Sequence, residues 1–272
     1  MSLSFSTTNS QWTTGRKALA AAGAAIIAAT WLYIVLVRPT DWESVTSSRE
    51  GLITLAGYGI GTLLVLAATL PVLPARTIGL IPIAMILNSV IGQVAGSVGI
   101  PLYLDSIGTV LIAALAGPVA GLATGALNNV VWGLVTPAAL PFAAGAALIG
   151  YLAGVFIHKF DAFRSIVRVV LFGAILGLVG GIVAAPVAAF VYGGTAGVGT
   201  GAVVSLFREM GASLVQSVTF QSFISDPLDK IIVMLVVFFA LKAMPNRTAR
   251  SFAPLHDDTA TTATTASTTP TA

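Results

Sequence analysis

The sequence predicts an all-α integral membrane protein. Hydrophobic residues fill 56% of its 272 positions and charged residues only 8%, against about 25% charged in a soluble domain. Mean hydropathy is +0.95. Apolar runs of roughly 20 residues, long enough to cross a bilayer, alternate with short charged clusters. Cysteine is absent, which excludes disulfides and thiolate chemistry. The net charge of +3 is small and broken into clusters between runs, so no nucleic-acid patch is expected.

Met1–Gly15 is rich in Ser and Thr and is expected to be disordered. Arg16-Lys17 then precedes Ala18–Val37, which is long enough to span and reads as an uncleaved first helix. Arg38–Glu50 is a polar loop carrying Trp42. Gly51–Leu73 is the second span, closed by Pro71, Pro74 and Arg76, and Thr77–Val98 is the third. Asp105–Ala116 and Pro118–Val135 form a hairpin about the Gly117-Pro118 break. Ala138–Ile157 and Val169–Tyr192 follow, with the charged loop His158–Arg168 between them. Gly193–Asp226 is Gly-rich at its start and semi-apolar afterwards, with the run at 193–201 read as a flexible outer loop. Pro227–Met244 is the last span, and the Thr/Ala tail is expected to be disordered.

Charge sets the expected orientation. With eight segments and the N-terminus inside, Arg16, Lys17, Arg76, Lys159, Arg164, Arg168, Lys242, Arg247 and Arg250 fall inside. Arg38, Arg49, Arg208 and Lys230 fall outside, the asymmetry that the positive-inside rule asks for. Both termini are then cytoplasmic.

The hairpin holds the candidate site. Its first arm, Asp105–Ala116, is twelve residues, about 18 Å long and shorter than the ~30 Å hydrocarbon core. Such an arm is tolerated where its end opens into a protein-lined cavity, which puts Asp105 in a vestibule. Asn128 and Asn129 return to about the same depth on the second arm, with Trp132 one turn further. Ser106 and Thr109 lie near Asp105, and Asn88 and Gln93 can reach the same cavity from the preceding helix. An acid, amides and an indole suit a planar, hydrogen-bonding small molecule. Each residue also has a structural reading, which stays open: Asp105 as a helix N-cap, the two Asn as interhelical bonds, Trp132 as an interface anchor.

Ala84, Asn88, Gly92 and Gly96 recur every fourth residue on the third span. Such a stripe serves either internal packing or a partner subunit. No HExxH, GxSxG or P-loop is present, His158 and His256 have no companions for a metal, and no cofactor site is expected. No buried carboxylate pair is expected either: Asp226 and Asp229 fall near the outer end of the last helix, the latter beside Lys230. The chain is therefore not expected to be an enzyme.

The segments LDSIGT, ALAGPVAG and ALNNVVWG, with YGGTAGVG and SDPLDKIIVMLVVFFALKAMP towards the C-terminus, resemble the substrate-binding S components of energy-coupling factor transporters. The resemblance spans residues 77–245 and implies a six-helix core. On it the chain divides into a disordered 1–15, a two-helix membrane extension at 16–76, the core at 77–245 and a disordered tail at 246–272. The resemblance implies a subunit of a bacterial plasma membrane that captures a vitamin or other micronutrient, such as a nucleobase or nucleoside, from outside. It implies a membrane coupling subunit and two ABC-type ATPases as partners, with docking through Ala84, Asn88, Gly92 and Gly96. The alternative is a membrane sensor module for a small ligand, acting with a separate signalling partner.

Overall fold

The computed structural model describes residues 12–39, 45–46, 48–194, 198–245, 247–248 and 251–254. The described chain is built from helices, and five of them are long and apolar enough to cross a membrane. Their outward faces carry large aliphatic side chains: Leu36, Leu63, Ile86 and Leu171 are each more than half exposed. A surface of this kind suits lipid and fits a multi-pass membrane protein.

The first two helices are a hairpin, α1 (Thr14–Val37) and α2 (Arg49–Thr69). Thr13 and Ser48 begin them as N-caps, their side chains accepting from the Arg16 and Gly51 amides. Helix α1 thus starts inside the segment expected to be disordered, whose residues 1–11 lie outside the described residues, as does Trp42. Pro71 and Pro74 separate α2 from α3 (Ala75–Ser97) through a short 3-10 turn. The short α4 (Ile107–Ala116) and α5 (Pro118–Gly133) form the expected hairpin. Gly117 sits at φ 94°, a backbone region that glycine enters without penalty, and Pro118 opens α5 where no amide hydrogen is needed.

A 3-10 turn over Pro137–Phe142 leads into α6 (Ala143–Lys159), and α7 (Ile166–Val191) follows. The C-terminal third departs from expectation. The segment read as a Gly-rich loop becomes helix α8 (Val198–Glu209) from Val198 onward, while 195–197 lie outside the described residues. Helix α9 runs from Leu214 to Ala243 and passes through Pro227 instead of starting there. A capping box of Ser213 and Gln216 fixes its start thirteen residues earlier than expected. Neighbouring helices make a proline inside a membrane helix tolerable, and here α7 lies against it. A methyl group on Gly177 would stand 2.5 Å from the Pro227 Cα, so only glycine permits this approach. The tail beyond residue 254 is outside the described residues.

The core has two main parts. In one, Val110 and Leu115 of α4 are buried with Leu176 of α7 and Met234 and Val237 of α9. In the other, Ile34, Tyr58 and Val65 of the N-terminal hairpin pack with Ala126 and Leu140. Two long-range hydrogen bonds pin that hairpin: Tyr58 Oη donates to the Pro141 carbonyl (3.2 Å) and Trp31 Nε1 to the Val183 carbonyl (3.0 Å). The second lies close to Pro186, which interrupts the backbone ladder of α7.

Candidate functional site

Helix α4 is apolar and nine of its ten residues are buried, so its N-terminal amides need partners from elsewhere. Ser106 occupies the N-cap position without making a cap bond. The partner comes from α3: Asn88 Oδ1 accepts from the Gly108 amide (2.7 Å), and Asn88 Nδ2 donates to Thr109 Oγ1 (2.8 Å). The same contact lets the α3 backbone at Ala84 lie directly on Gly108.

The expected docking stripe therefore faces inward at these positions. Ala84 and Asn88 are 1% and 0% exposed. A methyl on Gly92 would stand 3.0 Å from Asp105 Cβ, while Gly96 has open space around it. The outer face of α3 carries Ile83, Ile86 and Val90 instead. Bulky aliphatics on the outside and small residues under α4 place Ala84 and Asn88 in a seam within the chain.

A cavity of about 260 Å³ opens beside this seam. Of the eight residues expected to contact a ligand, Asp105, Ser106, Asn128, Asn129, Trp132 and Gln93 line it. Asn88 and Thr109 do not, because each satisfies the other beneath the cavity floor. Asp105 precedes α4 and is not its cap; Ser106 holds that position.

Helix α9 contributes what sequence reasoning missed. Asp226, Asp229 and Lys230 were expected near its outer end, but they are mid-helix and buried, at 6%, 0% and 4% exposed. The expectation that no buried carboxylates would meet is therefore corrected. Lys230 Nζ pairs with Asp229 Oδ2 and lies 3.5 Å from Asp105 Oδ1. Asp229 Oδ1 accepts from the backbone amides of Tyr103 (3.0 Å) and Leu104 (2.6 Å). This one carboxylate thus anchors both the lysine and the loop between α3 and α4, where Leu104 takes a positive φ of 52°. Asp226 and Lys230 line the cavity together with Ser222 and Tyr103. The available signal was three ionisable residues within SDPLDK in an apolar segment, since an ionisable residue at membrane depth is functional by default. Reading Pro227 as a helix start hid it.

Helix α7 makes room for Asp226. A methyl on Gly181 would fall 2.7 Å from Asp226 Oδ2, and Gly180 lines the cavity. The adjacent glycines thus serve carboxylate access on one face and helix approach on the other.

The amides form an ordered chain. Asn129 Nδ2 donates to the Ala139 carbonyl (3.0 Å), and Asn128 Nδ2 donates to Asn129 Oδ1 (3.3 Å). Asn128 Oδ1 and Ser106 Oγ are buried and make no hydrogen bond. Such orphaned polar atoms cost about 1–3 kcal/mol each. His158, expected to stand alone at a boundary, meets the Ala113 carbonyl at 3.0 Å; His256 lies outside the described residues.

A second groove, of about 660 Å³, runs between α1 and helices α5, α6 and α7 and is lined by Ala24, Ile27, Trp31 and Leu122. Its walls are largely apolar, with Lys17 and Tyr151 among the lining residues. Comparison of the chain with protein-family models, curated proteins and solved structures finds no match.

Proposed function

We propose that the chain is a membrane-embedded subunit that captures a small organic molecule and hands it to an ATP-driven importer of the energy-coupling factor type. One observation carries the reading. The two segments LDSIGT and ALNNVVWG, which underlie the resemblance, line a single cavity of about 260 Å³ among the helices. A cavity with an indole, three side-chain amides, two carboxylates and a lysine on its wall has the placed polar groups that ligand sites use.

In this reading Asp105, Asn128, Asn129 and Trp132 contact the substrate, and Ser106 and Gln93 complete the wall. The α3–α4 loop, held by Asp229, keeps the wall in place. Transport draws its energy from a coupling subunit and two ATPases, in a bacterial plasma membrane with both termini cytoplasmic. The test is affinity purification of the tagged protein from its native membrane in mild detergent, with mass spectrometry of co-eluting proteins. Two ABC-type ATPases and a multi-helix coupling protein are the expected partners. A histidine kinase or other signalling enzyme in their place would overturn the importer reading in favour of a sensor.

A further inference from the structure

Acids outnumber bases on the wall of the cavity, where Asp105 and Asp226 stand against Lys230 alone, and this restricts what it can hold. Three carboxylates, Asp105, Asp226 and Asp229, share one lysine. Lys230 is taken up by Asp229 and Asp105. Among the described residues no ion pair reaches Asp226, which is 6% exposed and lines the cavity. Ser222, one turn before it, supplies a hydroxyl to the carboxylate. A lone carboxylate at this depth costs several kcal/mol unless it is paired.

The amides make an independent argument. The Ala139 carbonyl can only accept, so Asn129 must present its amino group there and its oxygen to Asn128. Asn128 must then donate to that oxygen. What remains on Asn128 is an acceptor, Oδ1, which is buried without a partner in a residue 6% exposed. Reversing either amide would set two acceptors or two donors face to face. Hydrogen-bond parity, fixed from Ala139, therefore leaves an unbonded acceptor, itself without accessible surface, on a residue that lines the same cavity as Asp226. Ser106 Oγ, also buried and unbonded, adds a group that can act either way.

We infer that the ligand is an organic cation rich in hydrogen-bond donors, such as a protonated amine or amidine on a flat ring. The inference rests on reading this cavity as a small-molecule site. The charged end pairs with Asp226, a donor meets Asn128 Oδ1, and the ring lies along Trp132. A bare metal ion does not suit the site: among the described residues no three His, Asp or Glu are grouped to hold one. The volume of about 260 Å³ suits a small ring compound of roughly nine non-hydrogen atoms, taking ~30 Å³ for a water.

The test uses two sets of near-isosteric probes on the full chain in detergent: benzamidine, benzamide and benzoate, then tryptamine, indole-3-acetamide and indole-3-acetate. Thermal stabilisation and Trp fluorescence report binding. The cations are expected to bind, with the neutral and anionic partners of each set about 10- to 100-fold weaker, the scale of one lost charge-assisted hydrogen bond. Asp226→Asn is expected to erase the difference between benzamidine and benzamide, and Asn128→Leu to weaken all binding cations. Preference for benzoate or indole-3-acetate, or equal binding across a set, would overturn the cationic assignment while leaving a ligand site intact. Absence of binding by every probe in the folded wild-type protein would overturn the small-molecule reading itself. Because the charge series is read on the wild type, the result stands even if Asp226→Asn does not fold.

Discussion

Replacing Asn88 by Leu tests whether this residue holds helix α4 or touches a ligand. The two roles predict different losses. Leu has nearly the same bulk, so packing against α4 is retained and no large cavity opens. Two hydrogen bonds go: Gly108 N–H to Asn88 Oδ1 and Asn88 Nδ2 to Thr109 Oγ1. The Gly108 amide is buried and donates to Asn88 Oδ1, so stranding it costs about 1–3 kcal/mol. The Thr109 hydroxyl can turn to a backbone carbonyl, so its loss is nearer the ~0.6 kcal/mol average for bonds between membrane helices. The sum is about 2–4 kcal/mol. Thr109→Val removes only the second bond, leaving the Gly108 cap intact but the buried Asn88 Nδ2 without its acceptor, and is expected to cost about 1–3 kcal/mol. Both are measured by reversible unfolding in mixed micelles of dodecyl maltoside and SDS, followed by helical circular dichroism. An Asn88→Leu variant as stable as wild type would refute the capping argument. A stable Asn88→Leu variant that has lost ligand affinity would return Asn88 to the binding wall.

Three further perturbations separate the packing from the site. Gly177→Ala places a methyl against the Asp226 and Pro227 backbone, whereas Gly181→Ala meets the end of the Asp226 side chain; the first should lose more than about 2 kcal/mol and the second mainly ligand affinity, measured as unfolding midpoints beside probe titrations. Asp229→Ala should raise amide hydrogen exchange at Tyr103 and Leu104 well above wild type, because both amides donate to that carboxylate; unchanged protection would mean that the loop is held by other contacts. Gly92→Leu should displace Asp105, whose Cβ is 3.0 Å from the position of the new Cβ, and so weaken cation binding; a variant with normal binding and lost subunit association would restore the stripe as a docking face.

The sequence alone was enough for the local features. The apolar runs had the composition and length of membrane helices, and Gly117-Pro118 marked a turn, because hydrophobic content and turn chemistry are written in adjacent residues. Asp105, Ser106, Asn128, Asn129 and Trp132 could be grouped because helix rise gives depth on two arms of one hairpin. Rise alone does not say which way a side chain faces. Asn88 and Gln93 share a helix, yet Gln93 lines the cavity while Asn88 turns beneath it to cap α4. Nor does local chemistry decide whether a proline ends a helix. Pro227 lies inside α9 because α7 presents Gly177 against it, a contact between residues fifty positions apart. That one contact carries Asp226, Asp229 and Lys230 into the interior. The pairing of Lys230 with Asp105, and the burial of Asp226 without an ion pair, are thus decisions of the tertiary structure: ion pairs depend on distance through space, which sequence spacing does not encode.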